Sequence, residues 1–247
     1  MAKHTPQHTN APTSQERAKR IEHAIPTSKH LRLLITLDAL IALLALGAWV
    51  SMIAGLDGGI LSLTGFRSLR YFTVLSNILA AVCCFLCAIF EIRMLSKAQA
   101  SFPTALHVLR FISVNGIMLT FMVVMLYLGP ALGYPAVLTG GNLFLHLIVP
   151  LCALATLLIA QSGKVLSASQ VPLGLIPALA YATFYAANIL INGLSFGIEG
   201  TDWYNFTIYG TVSLPVSYAI ITAFCLALAY ALWFASGGRP RPRRTPS

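Results

Sequence analysis

The chain has 247 residues, of which 57% are hydrophobic and only 9% are charged, whereas about 25% of the residues in an ordinary soluble domain are charged. This composition excludes a soluble globular enzyme, a disordered chain and a nucleic-acid-binding protein. The net charge of +9 arises mainly at the two ends of the chain, because ten of the 16 Lys and Arg residues lie at or before Arg32 or at or after Arg239. Basic tails of this kind suit anionic lipid headgroups.

The predicted elements begin after a polar, proline-containing stretch, residues 1–30, which we expect to be a largely disordered tail. Six apolar runs of about 19–26 residues follow, each long enough to cross a hydrocarbon core of ~30 Å as a helix. The runs cover 31–54, 70–92, 105–128, 142–160, 171–194 and 210–235. Because backbone groups in lipid must hydrogen-bond internally, the sequence predicts an all-α integral membrane protein with six transmembrane helices over 31–235. A basic tail, 236–247, completes the chain.

The positive charges predict how the chain crosses the membrane. Of the 16 Lys and Arg residues, 14 lie in the tails, the even-numbered loops and their flanks, and only Arg67 and Arg70 lie on the other side. Cytoplasmic segments carry the excess of Lys and Arg, so we expect a multi-pass cell-membrane protein with both termini in the cytoplasm. The loops 55–69, 129–141 and 195–209 then face outward.

The second predicted helix opens with polar residues at its outer end. Thr73, Ser76 and Asn77 are spaced i, i+3 and i+4, so they share one face of the helix. Stripes of small polar residues are common where membrane helices pack together. The same stripe also fits a hydroxyl nucleophile with an amide one turn deeper, and the spacing leaves both interpretations open.

The fourth predicted helix carries Asn142, His146 and Pro150 at four-residue intervals along one stripe. His146 is the only histidine well inside an apolar run, and it is either a packed, hydrogen-bonded group or a catalyst. By helical rise alone, Thr73 lies ~4–5 Å and His146 ~6–8 Å below the outer ends of their helices. The two side chains can therefore occupy the same layer of the membrane.

Asp38 lies in the first predicted helix, roughly 10 Å from its inner end. A hydroxyl, a histidine or water is its expected partner. It is either a buried, hydrogen-bonded and protonated group or part of a proton or ion path. Its depth separates it from His146, so it is not expected to be the acid of a catalytic triad. Asparagines or backbone carbonyls would instead orient a Thr–His dyad.

The end of the fifth helix carries a third polar group. Asn188, Asn192 and Ser195 share a face in its outer half, and Trp203 and Tyr204 follow in the next loop. We expect Trp203 and Tyr204 to belong to the aromatic belt at the membrane interface.

The five cysteines do not indicate a disulfide framework, because their number is odd and each lies in an apolar run. They are Cys83, Cys84, Cys87, Cys152 and Cys225. The C-x-x-C run from Cys84 to Cys87 lacks a second ligand pair and is interpreted as packing.

Two short motifs carry a family resemblance. The run Tyr71-Phe72-Thr73-x-x-Ser76-Asn77 and the run Asn142-x-x-x-His146-x-x-x-Pro150 resemble the bacterial six-helix membrane proteins related to the androgen-induced protein and the androgen-dependent TFPI-regulating protein. The resemblance spans roughly residues 31–235. The chain departs from the family in the position of the proline, which follows the histidine by four residues instead of five. It also has Trp203-Tyr204-Asn205-Phe206 where the family has a proline before the phenylalanine.

The resemblance implies an enzyme, because that family is described as membrane threonine hydrolases that cleave fatty acid esters of hydroxy fatty acids. It implies that Thr73 is the nucleophile and His146 the base. A threonine hydroxyl needs a base to take its proton, and a neutral histidine can do so. We expect a lipid ester to enter from the outer leaflet, with its carbonyl near the polar layer and the Asn77 amide as the first candidate to hold the oxyanion.

The remaining candidates for substrate or oxyanion binding are Ser76, Asn142, Asn188, Asn192, Trp203 and Tyr204. The sequence indicates no metal or other cofactor, and the expected partners are the lipid bilayer and a lipid ester. Two other functions fit the composition. A small proton-coupled transporter would use Asp38, His146 and the membrane asparagines, and a non-catalytic lipid-binding protein would need the polar residues only for packing.

Overall fold

The computed structural model describes residues 27–56, 64–97, 101–160, 166–197, 199–210 and 212–239. Of the expected tails, 1–30 and 236–247, only residues 27–30 and 236–239 are described, and the rest lies outside the described residues. Within these ranges the chain is helical, and its one β contact is an isolated bridge between Phe196 and Asp202.

Six helices are long and apolar enough to cross a membrane, which confirms the six predicted spans to within a few residues at each end. They are α1 (Ser28–Ile53), α2 (Phe72–Leu95), α3 (Thr104–Leu132), α4 (Gly141–Ala160), α5 (Ala168–Asn192) and α6 (Ser213–Ala235). Their buried shares differ: 56% of the apolar window of α3 is buried, against 22% for α6. The helix α3 is therefore central in the bundle and α6 is peripheral.

The helices pack through small side chains in the middle of the bundle. Ala42 and Ala45 of α1 are buried in one apolar cluster with Ala80 and Ala81 of α2 and with Phe111 of α3. Small residues let helix backbones approach closely, which is how membrane helices associate without a hydrophobic driving force. The large apolar side chains point outward instead, including Leu43, Val50, Phe85, Leu190 and Ile220. A surface of this kind fits contact with lipid.

Two of the helices widen at one turn for a reason visible in the sequence. The π turns Val124–Leu128 of α3 and Phe144–Ile148 of α4 each end two residues before a proline, Pro130 and Pro150. Proline has no N–H, so the carbonyl four residues earlier loses its α-helical donor. The chain closes the wider turn instead, with hydrogen bonds from Gly129 to Val124 and from Val149 to Phe144.

Candidate active site

Thr73 lies in the first turn of α2. A 3-10 turn, Gly65–Arg70, leads to an extended Tyr71, and α2 then begins at Phe72. The Thr73 residue is half-buried. In the first turn of a helix the backbone N–H groups have no intrahelical acceptors, and they form the positive end of the helix dipole. We call this end of the bundle, where α2 and α4 begin, the site end.

Ser76 and Asn77 lie one turn deeper and turn back toward Thr73. The Ser76 hydroxyl donates to the Thr73 carbonyl at 3.1 Å, and the Asn77 amide donates to the same oxygen at 2.8 Å. The Ser76 oxygen is also 3.3 Å from the hydroxyl of Thr120 on α3. Ser76 and Asn77 are 2% and 1% exposed, so both act inside the bundle.

Asn77 joins the segment of Thr73 to the segment of His146. Its amide nitrogen also donates to the Leu145 carbonyl at 3.1 Å, so the carbonyl oxygens of Thr73 and Leu145 lie within about 6 Å of each other. Val74 and Leu145 are buried in one apolar cluster as well. The backbones at the two sequence-predicted catalytic residues therefore lie side by side. Both amide protons of Asn77 are engaged, which favours a bridging role over the oxyanion role expected from the sequence.

His146 is held in one orientation inside the π turn of α4. The residue is 4% exposed, and its Nδ1 lies 2.7 Å from the carbonyl oxygen of Val137, in the short helix Tyr134–Val137. A carbonyl oxygen only accepts, so Nδ1 carries the proton and Nε2 is the basic nitrogen. Asn142 and Pro150, one turn before and one turn after His146, are both buried.

Aromatic side chains cover the start of α2. We call this group the aromatic cap; its members are Tyr71, Tyr181, Tyr185, Trp203, Tyr204 and Phe206. The Phe72 N–H donates to the Tyr204 hydroxyl at 3.1 Å, and the Trp203 indole donates to the Tyr181 hydroxyl at 3.1 Å. The guanidinium of Arg70 lies 5.5 Å from the centre of the Trp203 ring. Trp203 is 6% exposed, so its ring packs within the protein, where the loop before α6 folds over the start of α2; its position at the membrane interface stays a prediction.

Asp202 holds the cap together. Its carboxylate accepts from the N–H groups of Phe206 and Thr207 at 2.9 and 2.8 Å, from the Thr207 hydroxyl at 2.6 Å, and from the Tyr185 hydroxyl. Burial raises the pKa of this carboxyl, but hydrogen bonds from Thr207, Tyr185 and Phe206 outweigh that effect and lower the pKa below its ordinary value.

Asn188 and Asn192 support the same loop. Asn188 donates to the Thr201 carbonyl at 3.3 Å, and Asn192 donates to the Asn188 side-chain oxygen at 3.0 Å. These amides therefore build the support for the cap. The loop carries an exposed ion pair as well, between Glu199 and Arg67 at 2.6 Å.

The sequence reasoning missed Trp49. This residue of α1 packs against the cluster that contains Val74 and Leu145. Its indole nitrogen is buried and has no hydrogen-bond partner within the described part of the chain. A tryptophan in an apolar run is commonplace, so only the packing of α1 against α2 and α4 reveals this donor.

Asp38 has a different partner from those expected. Arg110 of α3 donates from one guanidinium nitrogen to the carboxylate of Asp38 and, at 2.7 Å, to the carboxylate of Glu91 on α2. Arg110 is one of the 14 Lys and Arg residues that the sequence assigns to the inner side of the membrane, and Glu91 carried no prediction. All three side chains are buried, in the half of the bundle away from the site end.

Comparison with known proteins gave no relatives. No protein-family model matches the chain, and neither the curated proteins nor the solved structures contain a match.

Proposed function

We propose that the protein is a membrane-embedded hydrolase of lipid esters, with Thr73 as nucleophile and His146 as base. The observation that carries the proposal is the Asn77 bridge, which brings the Thr73 backbone beside that of Leu145, the neighbour of His146. The Val137 carbonyl supports it further, because it fixes His146 in the tautomer whose Nε2 accepts a proton.

The reaction begins when the Thr73 hydroxyl gives its proton to Nε2 of His146 and its oxygen attacks the ester carbonyl carbon. The tetrahedral intermediate collapses, the bond to the alcohol oxygen breaks, and the departing alcohol takes the proton from the imidazolium. Water then loses a proton to the same nitrogen and attacks the acyl-threonine carbonyl carbon. The bond to the threonine oxygen breaks, that oxygen takes the proton back from the imidazolium, and the fatty acid is released.

Two N–H groups are suited to hold the oxyanion. One is the backbone N–H of Thr73, at the positive end of the α2 dipole. The other is the Trp49 indole, a buried donor that lacks a hydrogen-bond partner among the described residues. A buried donor without a partner costs free energy in the resting protein. An oxyanion that accepts from it would recover that cost in the transition state.

The substrate reaches this layer from the bilayer. Apolar side chains cover the outside of the helices, and the aromatic cap covers the start of α2. We infer that both termini are cytoplasmic and that the site end lies in the outer leaflet, since 14 of the 16 Lys and Arg residues belong to the opposite side. The family resemblance favours a lipid ester of the fatty acid type as the class of substrate.

Ester turnover by the purified full-length chain in detergent tests the proposal. Thr73→Ala and His146→Ala should lower the rate by about 10²–10⁴-fold, the range expected for a positioned base. Thr183→Ala is the matched control, because this exposed threonine only bonds to its own helix through the Leu179 carbonyl. A fluorophosphonate probe should label Thr73 covalently. Wild-type rates in both site variants would refute the assignment, and a non-catalytic lipid-binding protein would show neither turnover nor labelling.

A proton-coupled transporter is the second candidate, and the buried charges of Asp38, Glu91 and Arg110 favour it. Such a protein would collapse a substrate gradient in proteoliposomes, and Asp38→Asn would stop the transport. Gradient collapse without ester turnover would favour transport over hydrolysis.

A further inference from the structure

Three helices meet at a cluster of buried charges. It consists of Asp38 on α1, Glu91 on α2 and Arg110 on α3, and none of these side chains is more than 2% exposed. One guanidinium nitrogen contacts one oxygen of each carboxylate. Each of these two oxygens lies one hydrogen-bond length from the same nitrogen, so the two oxygens lie within about 6 Å of each other. Two carboxylates this close compete for the same counter-charge.

The charges of the cluster do not balance when every group is ionised. Two carboxylates and one guanidinium leave a net charge of −1 inside the bundle, where an unbalanced charge is costly. The neighbouring titratable groups on α2 are the thiols of Cys84 and Cys87, which are neutral in their ordinary state.

Among the residues that the structure describes, no other element beside the cluster supplies a second positive charge to Asp38 or Glu91. On α3, His107 lies one turn from Arg110 and packs against the Phe102 ring at 6.1 Å. The Phe102 ring also lies 5.5 Å from the Arg110 guanidinium. The helix α4, which packs beside α1 and α3, has no Asp, Glu, Lys or Arg, and its His146 belongs to the site end.

Unpaired atoms in the cluster point to a missing ligand. The second carboxylate oxygens, Oδ1 of Asp38 and Oε2 of Glu91, are buried and have no hydrogen-bond partner among the residues that the structure describes, and the same holds for Nε of Arg110. The Cys84 thiol beside Asp38 is only a weak donor. Carboxylate oxygens in such a position are costly unless something donates to them. A single proton removes both problems, since it neutralises the charge and turns one carboxylate into a hydrogen-bond donor.

We propose that Asp38, Glu91 and Arg110 form a proton-binding site that holds one proton on the carboxyl pair at neutral pH. The site then contains one carboxylic acid, one carboxylate and one guanidinium, with zero net charge. A monovalent metal cation such as Na⁺ would satisfy the same oxygens, and the experiments below separate it from a proton. The inference does not depend on ester hydrolysis, because the cluster lies away from the site end.

Infrared spectroscopy of the purified protein tests for the proton directly. The chain has only seven acidic residues, so a protonated carboxyl is readily assigned. We expect a carboxylic acid C=O stretch at pH 7 that shifts in D₂O and disappears in Glu91→Gln or in Asp38→Asn. The exposed Glu199→Gln variant is the control and should keep the band. Absence of the band in the wild type, or its persistence in both cluster variants, would overturn the proposal.

The pH dependence of folding gives a second, independent measurement. The folded protein would hold a proton that its unfolded carboxyls have released at neutral pH, so stability should fall as the pH rises. One proton corresponds to about a tenfold change in the unfolding equilibrium constant per pH unit.

The glutamine in Glu91→Gln mimics the protonated acid. This variant should therefore fold, and its unfolding equilibrium constant should no longer change tenfold per pH unit. In Glu199→Gln that pH dependence should remain. If Glu91→Gln does not fold, Asp38→Asn serves the same purpose. An unchanged slope in the variant that folds would contradict the proposal. Stabilisation by Na⁺ over choline at equal ionic strength, without a carboxylic acid band, would assign the site to a metal cation instead.

Discussion

The chemistry proposed at the residue scale depends on one backbone carbonyl. Val137 accepts from Nδ1 of His146 at 2.7 Å, and it does so without a charge. In a serine-protease triad an aspartate fixes the tautomer and stabilises the imidazolium. A carbonyl fixes the tautomer and supplies only a dipole, which suits a site in lipid because a buried carboxylate would need its own counter-charge.

Removal of the Trp49 indole N–H should slow the reaction and spare binding. We expect Trp49→Phe to lower kcat by about 10²–10³-fold, the usual effect of losing one oxyanion donor, with KM nearly unchanged. Trp233→Phe is the control, because Trp233 donates to the Leu166 carbonyl away from the site end. Steady-state kinetics on both variants test this prediction. Equal losses of kcat in Trp49→Phe and Trp233→Phe would mean that the Trp49 indole does not hold the oxyanion.

The Asn77 bridge should matter for both folding and turnover. Asn77→Ala removes the donor from the Leu145 carbonyl, and an unsatisfied buried polar group costs about 1–3 kcal/mol. We expect a lower thermal midpoint together with a loss of kcat, because the segments of Thr73 and His146 lose their direct link. Asn188→Ala removes contacts to the Thr201 carbonyl and to Asn192 in the support of the outer loop, and it should leave kcat much closer to the wild-type value. A wild-type kcat in Asn77→Ala would show that the bridge is not needed for catalysis.

At the scale of the element, the π turn of α4 sets the direction of His146. The turn exists because Pro150 cannot donate to the His146 carbonyl, and π turns inside helices occur often at functional sites. A single residue of register corresponds to about 100° of rotation around a helix. The proline therefore controls which way the imidazole faces.

Pro150→Ala should restore the missing donor and allow an ordinary α-helical turn. We expect the variant to be as stable as the wild type or more so, and to lose most of its turnover, because His146 rotates away from Val137. Pro130→Ala relaxes the corresponding turn of α3 and serves as the control. Thermal unfolding and ester turnover are the measurements. Full activity in Pro150→Ala would show that the proline does not set the direction of His146 that turnover requires.

The cap should be sensitive to acid. The pKa of Asp202 is lowered in the folded protein, so its contribution to stability is present above the unfolded pKa of about 3.9 and is lost as the pH falls through the folded pKa. Asp202→Asn should destabilise the cap at neutral pH by about 2 kcal/mol, since hydrogen bonds to a charged group are worth about 1.5–3 kcal/mol. Trp203 fluorescence against pH reports both effects, and a wild-type acid transition in the variant would contradict them.

At the scale of the whole molecule, the sequence predicts the helices better than their contacts. Each span follows from the length of an apolar run, which is a local property of the chain. Arg110 lies 72 residues from Asp38 and 19 from Glu91, and nothing in the local pattern pairs them. The fold of the cap over Phe72 and the position of the Trp49 indole depend equally on which helices are neighbours. The depth of Thr73 and His146 in the membrane could be predicted from helical rise. The Asn77 bridge between their segments could not be predicted, because it depends on which helices are neighbours.

The expected topology has a direct test. With both termini in the cytoplasm, the loop at Thr139 faces outward and the turn after α2 at Ser96 faces inward. Both residues are exposed. A membrane-impermeant maleimide should label Thr139→Cys in intact cells and should label Ser96→Cys only after permeabilisation. The opposite pattern would place the Thr73 layer on the cytoplasmic side.

The buried guanidinium of Arg110 also constrains biogenesis. On translocon scales an arginine at the centre of a helix opposes entry into the bilayer by about 2.5–3.5 kcal/mol, and Arg110, near the start of α3, faces part of that cost. Asp38 and Glu91, its two partners, are synthesised earlier in the chain. If α1 and α2 are still beside the translocon when Arg110 emerges, α3 gains its counter-charges at once, so we expect the first three helices to enter the bilayer as a unit.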